Sequence, residues 1–426
     1  MIERECDVAV IGAGAAGISA AIEIARGGRH PLLIDREPYL GGILQQCIHT
    51  GFGLHRFNEE LSGPEYAGRE IAEALSLGIE ALLDTSVFDV RCEEGKMLLH
   101  ACSAHKGVMK INAKAIVLAM GCRERNRGNV GIPGMRPAGV MTAGLAQRLI
   151  NLEGCIPGRR AVIVGSGDIG LIMARRLIWT GVEVPAVLEI LPYPSGLARN
   201  IAQCLDEYKI PLLLSHAVVQ IHGGRRVEDV DIAPLVAGSP DLSQAFRIPC
   251  DTVLLSVGLI PENELSKKIG VKLSLATGGP LVDESLMTNI PGVFACGNVL
   301  HVHDLVDNVS CEATRCGKAV LDYLQGSAEN PIGQGEAKAG MNLKYVLPSQ
   351  YRAGKDMRFS MRSLAPFDEA RLLVSCSGKE ILAQKMRFVR PSEMINVDIP
   401  AGAIPSFAAG QSPQLEFSLI PGDSKP

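Results

Sequence analysis

The sequence predicts an α/β protein in which two doubly wound parallel-sheet domains are followed by a small antiparallel β domain. Three observations predict it. Glycine-rich turns stand at Gly12-Ala13-Gly14-Ala15-Ala16-Gly17 and at Gly165-Ser166-Gly167-Asp168-Ile169-Gly170, each between an apolar run and a helical pattern. Beyond Gly340 the chain switches to period-two alternation with turn residues between the runs. Glycines in such turns permit a tight bend and let backbone N–H groups approach a pyrophosphate at a positively polarised helix N terminus. The first two domains are therefore expected to be Rossmann-like dinucleotide-binding units.

In the first unit Asp7-Val8-Ala9-Val10-Ile11 reads as a buried parallel strand, Ile18 to Ala25 as its helix, and Pro31-Leu32-Leu33-Ile34 as the second strand. That strand runs into Asp35, placed where a ribose hydroxyl is expected. A small antiparallel excursion is expected around Phe88-Asp89-Val90-Arg91 and Met97-Leu98-Leu99-His100, followed by a return strand from Ala115 to Gly121. Ala161-Val162-Ile163-Val164, a helix from Leu171 to Trp179 and a strand from Val184 to Glu189 repeat the pattern. Glu189 should accept from a free ribose 2′-hydroxyl and repel a 2′-phosphate, which favours NAD over NADP. Pro185 weakens the local register of that strand.

Thr252-Val253-Leu254-Leu255-Ser256-Val257-Gly258 closes the second unit, and Asn289 to Asn298 reads as a last strand returning to the first. A helix is expected over Cys311 to Leu324, with Asp307, Asn308 and Ser310 as candidate caps. Expected domains are residues 1–125 with 276–335 (FAD-binding, discontinuous), 155–275 (NAD-binding) and 341–426 (β domain, for docking or dimerisation).

With 426 residues the chain exceeds one core, and 47% hydrophobic residues suffice to fill several. A net charge of −4 gives no reason to invoke nucleic acid or an anionic membrane. No apolar run has the length of a spanning helix, and Met1-Ile2-Glu3-Arg4-Glu5 leads directly into the first strand, so no transmembrane segment or secretory signal is expected. Twelve scattered cysteines fit buried thiols in a reducing cytoplasm.

Four stretches carry a family resemblance: Leu40 to Leu54 (LGGILQQCIHTGFGL), Gly63-Pro64-Glu65-Tyr66-Ala67, Gly121-Cys122-Arg123-Glu124-Arg125 and Gly165 to Arg176. Over roughly residues 5 to 330 the chain resembles the two-dinucleotide-domain flavoproteins related to pyridine nucleotide-disulfide reductases. Within them, those stretches are similar to FAD subunits encoded beside a small cysteine-motif protein and a bacterial anaerobic-type glycerol-3-phosphate dehydrogenase-like subunit. The resemblance implies bound FAD, reaction with NAD(H), and electron exchange with a partner flavoprotein. On it, candidate flavin contacts are Gly12, Gly14, Ala15, Ala16, Gly17, Asp35, Arg36, Gly41, Gly42, Ile43 and Gln45, then Gly121, Arg125, Gly297, Asn298 and Val309. Candidate NAD contacts are Gly165, Gly167, Asp168, Ile169, Gly170, Glu189 and Gly258.

Two departures from the wider family matter. Cys47 stands alone after Gly41-Gly42, and no cysteine pair follows Val164, so no dithiol relay and no disulfide reductase activity is expected. Asn298 stands where related flavoproteins place an Asp against the ribityl chain; its carbonyl can still accept. Gln46, Cys47 and His49 are candidate catalytic residues, because a thiolate beside an imidazole is a nucleophile arrangement. Packing or flavin shielding is the plainer role, and with Gln45 they would line the isoalloxazine. His301-Val302-His303-Asp304 offers two imidazoles without a matching ligand cluster nearby in sequence, so it reads as a flavin-edge loop and no metal is expected. Cys311 and Cys316 read as separate buried thiols.

The β domain holds one cysteine and so cannot house an iron–sulfur centre of its own. The sequence-level expectation is a cytoplasmic FAD-dependent, NAD(H)-linked oxidoreductase, one subunit of a glycerol-3-phosphate-oxidising complex. The alternatives are a free-standing NADH oxidase or NADH:acceptor reductase, and a scaffold subunit with structural FAD. Homo-oligomerisation is compatible with the sequence.

Overall fold

Strands rich in Val, Ile and Leu, buried on both faces, build the parallel sheet of each of two units, as sheets covered by helices require. A computed structural model describes residues 2–93, 95–326, 335–352, 354–404 and 413–422. The chain divides into two compact units, one of Met1–Gln45, Thr50–Cys122 and Pro261–Pro426, the other of Gln46–His49 and Arg123–Ile260.

In the first unit Glu80–Leu82, Pro31–Ile34, Ile2–Ile11 and Gly107–Leu118 lie side by side in parallel, and Val293–Ala295 joins the far edge of Gly107–Leu118. The return strand expected near the end of this unit is therefore present and parallel. Thr85–Glu93 and Lys96–Ser103 form an antiparallel hairpin that continues onto Gly107–Leu118, which is the expected excursion. The first strand is longer than its apolar run predicts, beginning at Ile2, because Gly107–Leu118 pairs with it along its whole length. The first helix covers Ala15–Arg26 and buries Ile18, Ile22 and Ile24 on the sheet. Each such side chain contributes about 1.5–3 kcal/mol by leaving water.

The second unit has a five-stranded parallel sheet, ordered Val140–Thr142, Thr252–Leu255, Ala161–Val164, Val187–Glu189 and Leu212–Leu214. The strand expected from Val184 is shorter. It starts at Val187, beyond Pro185, whose missing N–H could not have joined a ladder. An antiparallel sheet of His216–His222, Asp229–Val236 and Phe246–Pro249 completes this unit.

The C-terminal residues of the first unit form two sheets packed around Tyr351, Phe359, Phe417 and aliphatic neighbours. One pair departs from the antiparallel expectation: Glu336–Ala339 runs parallel to Gln414–Phe417. Register between strands so far apart in sequence leaves no trace in local alternation. The long helix covers Val306–Leu324, so Asp307, Asn308 and Ser310 lie inside its first turns and do not cap it. Cys316 is buried as expected, whereas Cys311 is exposed on that helix. Among the described residues no helix is long and apolar enough to cross a membrane.

Candidate functional site

Two glycine turns, one in each unit, have the same construction. At the first, Gly12 adopts φ +104°, and a Cβ there would lie 2.3 Å from the Ala119 carbonyl oxygen. A Cβ on Gly17 would meet the Gly12 carbonyl oxygen at 1.8 Å, so the helix can approach the strand only with glycine. Gly14 differs. Its backbone is extended, no side chain caps the helix that follows, and a Cβ there would come no nearer than 4.0 Å to Gly42 Cα. Gly14 and Gly42 thus face each other as bare backbone beside a helix N terminus with unclaimed N–H groups, which is a cradle for a pyrophosphate. The Gly41 N–H donates to the Ala13 carbonyl at 2.8 Å, holding the two turns together.

Asp35 follows the second strand and accepts from Ala13 N–H (2.6 Å) and Glu37 N–H (2.9 Å), which fixes its carboxylate beside the fingerprint. Gly297 completes this side. A Cβ on it would lie 2.7 Å from Ala16 Cβ and 3.4 Å from Val309 Cγ1, so three predicted contact residues converge. The structure places Gln45 in the same unit, with its amide donating to Leu40 O at 2.8 Å. Arg36 and Ile43 are exposed. Gly121 takes φ +71°, and Cys122 beside it receives the Asn298 Nδ2 donor at 3.6 Å. These residues fit FAD.

Asn298 differs from expectation in its orientation. Its carbonyl, expected to accept from a ribityl hydroxyl, already accepts from the His303 backbone N–H at 3.0 Å. His303 Nδ1 approaches the same oxygen at 3.3 Å. The side chain therefore presents its NH2 group, since a backbone N–H can only donate. His301 and His303, read as a loop without a ligand cluster, converge on buried Glu312: His301 Nε2 lies 2.8 Å and His303 Nε2 3.5 Å from Glu312 Oε2. Glu312 was missed in the sequence because the helix carrying it returns beside the loop only in three dimensions. Its second oxygen accepts from the Gly297 N–H at 2.7 Å. Burial works to raise the Glu312 carboxyl, but His303 and His301 hold it well below the usual carboxylate range.

A depressed folded-state value means that the unfolded chain takes up this proton first as pH falls. The stability Glu312 contributes is present above the ordinary carboxylate value of 4.5 and is lost as pH drops below it. Melting temperature should fall on acidification through that window, and less steeply in Glu312→Gln; equal slopes would show that Glu312 is not held in this way.

The second turn repeats the first. Gly165 takes φ +91°, with an added Cβ 2.2 Å from the Ser256 carbonyl oxygen, and the helix Asp168–Trp179 starts without a side-chain cap. Ser256 Oγ accepts from the Gly170 N–H at 3.0 Å, holding the helix start against the closing strand. Glu189 ends its strand, only 4% exposed. Its Oε2 accepts from Ser166 N–H (3.1 Å), Ser166 Oγ (2.5 Å) and Ser195 Oγ (2.8 Å), and Oε1 accepts from Leu191 N–H at 3.1 Å. Asp168 Oδ1 accepts from Leu197 N–H and Asn200 Nδ2. Neither Ser195 nor Asn200 is marked by any motif; side-chain donors in the loop after an acid-ended strand were the available signal. Ile169 packs against this unit's core, while Gly258 accepts from the Arg125 N–H at 3.0 Å. The residues fit a dinucleotide.

Gln46, Cys47 and His49 belong to this second unit rather than to the one holding Gln45. The Gln46 amide donates to Gly144 O (2.9 Å) and Gln147 Oε1 (3.0 Å), and Cys47 Sγ lies 3.8 Å from the same Gln147 oxygen. Asn151 Nδ2 donates to Gln46 O at 2.8 Å, and His49 lines a cavity of about 240 Å³ with Arg175, Arg176 and Trp179. Burial pushes the Cys47 thiol from 9.0 up to about 12. At neutral pH its thiolate is then roughly a thousandfold scarcer than that of an unperturbed thiol. Iodoacetamide should label exposed Cys155 and Cys311 long before Cys47; early labelling of Cys47 would restore a nucleophilic role. No disulfide joins any of the described cysteines.

Comparisons with known proteins agree with this geometry. The profile of the pyridine nucleotide-disulphide oxidoreductases matches residues 6–314. An opine oxidase subunit of Agrobacterium tumefaciens (strain Ach5) is 29% identical over 313 residues, 68% of this chain and 61% of that protein. Hydrogen cyanide synthase subunit HcnB of Pseudomonas aeruginosa (strain PAO1) is 26% identical over 393 residues, covering 85% of this chain and 80% of that one. The chain spans about three-fifths of HcnB from Pseudomonas protegens and of the opine oxidase subunit. Thioredoxin reductase of T. acidophilum shares the fold, with a TM-score of 0.63 at 22% identity over 76% of this chain and 100% of that chain. With its profile match spanning both glycine turns and the strands that carry them, the chain belongs to the pyridine nucleotide-disulphide oxidoreductase family.

Proposed function

We propose that this chain is the FAD- and NAD(H)-binding subunit of a multi-subunit dehydrogenase of the glycerol-3-phosphate type. It would exchange hydride between NAD(H) and FAD, and electrons with a partner flavoprotein. The observation that carries the reading is the duplicated turn: an uncapped helix N terminus, a glycine forced by a strand carbonyl, and a fixed carboxylate, once with Asp35 and once with Glu189. Two relatives are named as subunits of oxidases or synthases, which supports membership of an assembly. The partner's organic substrate would be recognised by another chain, and a small cysteine-motif protein would complete the complex.

When bound, FAD and NAD(H) supply the hydride chemistry, and the chain's own residues bind and orient them. Gly14, Gly42 and the N–H groups of Ala15, Ala16 and Gly17 would hold the flavin pyrophosphate, with Asp35 at its ribose. Gly165, Gly167 and Glu189 would do the same for NAD. The NH2 of Asn298 would offer a donor at the ribityl chain. A disulfide reductase gains no support from Cys47, whose thiol burial pushes up to about 12.

One observation favours a second reading, a scaffold subunit with structural FAD. Ser195, Leu197 and Asn200 fold onto Ser166 and Asp168, and a Cβ on Gly196 would meet the Ser166 carbonyl oxygen at 2.8 Å, so the chain's own loop lies on the second turn. Coexpression with its genomic neighbours tests the assembly: copurification with a glycerol-3-phosphate dehydrogenase-like flavoprotein is expected. A chain that always elutes alone contradicts it.

A further inference from the structure

The buried group around Glu312 has one acceptor too many for neutral imidazoles. His303 sits with its backbone N–H (3.0 Å) and its Nδ1 (3.3 Å) both facing Asn298 Oδ1. The backbone N–H fixes that atom as oxygen, so Nδ1 must carry a proton to face it. The other ring nitrogen, Nε2, points at Glu312 Oε2 from 3.5 Å. In a neutral ring this would set a lone pair against a carboxylate with both side chains almost sealed from solvent, 2% and 3% exposed.

His301 has no such problem. Its Nε2–H can donate to Glu312 Oε2 at 2.8 Å while its Nδ1 accepts from the Tyr345 hydroxyl at 3.1 Å. The neighbouring charges do not fill the gap at His303. Arg362 spends its donors on the carbonyls of Val302, Pro391 and Ser392, and Asp304 accepts from the Leu305 and Met394 N–H groups.

We infer that His303 is a buried imidazolium, protonated on both ring nitrogens and paired with Glu312, that locks Asn298, in the Gly297–Asn298 strip, with its amide NH2 turned to Cys122 Sγ. The charges facing it are Glu312 from the long helix, neutral His301 and Asp304 from its own loop, and Tyr345 and Arg362 from the C-terminal sheets. A carboxylate is thereby neutralised where it grips the Gly297 N–H, and a positive charge stands one side chain from the strip. Resting on the flavin reading above, this makes His303 a positioning residue that favours negative charge on reduced flavin. It also gives the C-terminal domain a task besides docking, since Tyr345, Arg362 and Met394 hold the loop and helix that carry the pair.

The charge is read first without any variant, by ¹⁵N-histidine NMR of the full chain at neutral pH. The expected spectrum has one buried histidine with both ring nitrogens in the protonated range, absent in His303→Gln. A singly protonated ring at His303 overturns the proposal. So would the visible bands of a tetrahedral complex on adding Co²⁺, because a metal ion and not a proton would then bridge His301, His303 and Glu312. The positioning role is read by flavin midpoint potential: folded His303→Gln should shift it to more negative values. An unchanged potential removes the role. Purified chain without flavin that still shows the doubly protonated ring would sink the flavin reading while leaving the ion pair established.

Discussion

Gly14→Ala should leave the chain folded but weaken flavin binding, whereas Gly12→Ala should damage the fold itself. At Gly14 the backbone is one any residue adopts, and the new methyl group points toward Gly42 from 4.0 Å, into the space between two bare stretches of backbone. It would displace a pyrophosphate and cost one or two charge-assisted N–H contacts, each worth about 1.5–3 kcal/mol, so flavin affinity should fall at least tenfold to a hundredfold. At Gly12 the strain of φ +104° adds to a collision 2.3 Å from the Ala119 carbonyl oxygen. That substitution should cost more than about 3 kcal/mol of stability. Thermal melts beside flavin absorbance separate the two. A Gly14→Ala protein that keeps full flavin would remove the pyrophosphate from this turn.

Glu189→Gln should narrow the preference for NADH over NADPH. Glu189 Oε2 already takes three donors, so the glutamine oxygen will occupy that place and the repulsion of a 2′-phosphate will vanish. A unit charge about 5 Å away at an effective dielectric of about 20 is worth on the order of 3 kcal/mol; allowing for solvent, a change of at least tenfold in the affinity ratio is expected. The amide also brings a donor to the Leu191 N–H, so the variant should melt lower than the parent. An unchanged nucleotide ratio in the folded variant would assign the discrimination to other residues.

Much of this was legible in the sequence where a residue's identity answers a local physical demand. Gly12, Gly17, Gly165 and Gly170 occupy positions that backbone carbonyls close to any side chain, and the flanking apolar runs became the central strands. Asp35 and Glu189 stand at their strand ends because the acid follows directly from the strand period. What the sequence hid depends on segments meeting across loops. His303 reaches Asn298 and Glu312 only after the chain turns from the return strand into the long helix, and Ser195 reaches Glu189 only through a loop without a motif. Cys47, next to Gly41-Gly42 in sequence, packs on Gln147, which the sequence did not mark. In the C-terminal domain the alternation marked strands but not partners, so the parallel pair of Glu336–Ala339 with Gln414–Phe417 could not be anticipated.

Whether both turns bind dinucleotides, and whether NADH reduces the bound flavin, is decided by purifying the chain, confirming flavin by absorbance, and titrating it anaerobically with NADH and NADPH while following bleaching. Bleaching by NADH at much lower concentration than by NADPH is the predicted result. Bound flavin that neither nucleotide bleaches would contradict it, leaving the second turn as fold without chemistry and the chain as a scaffold.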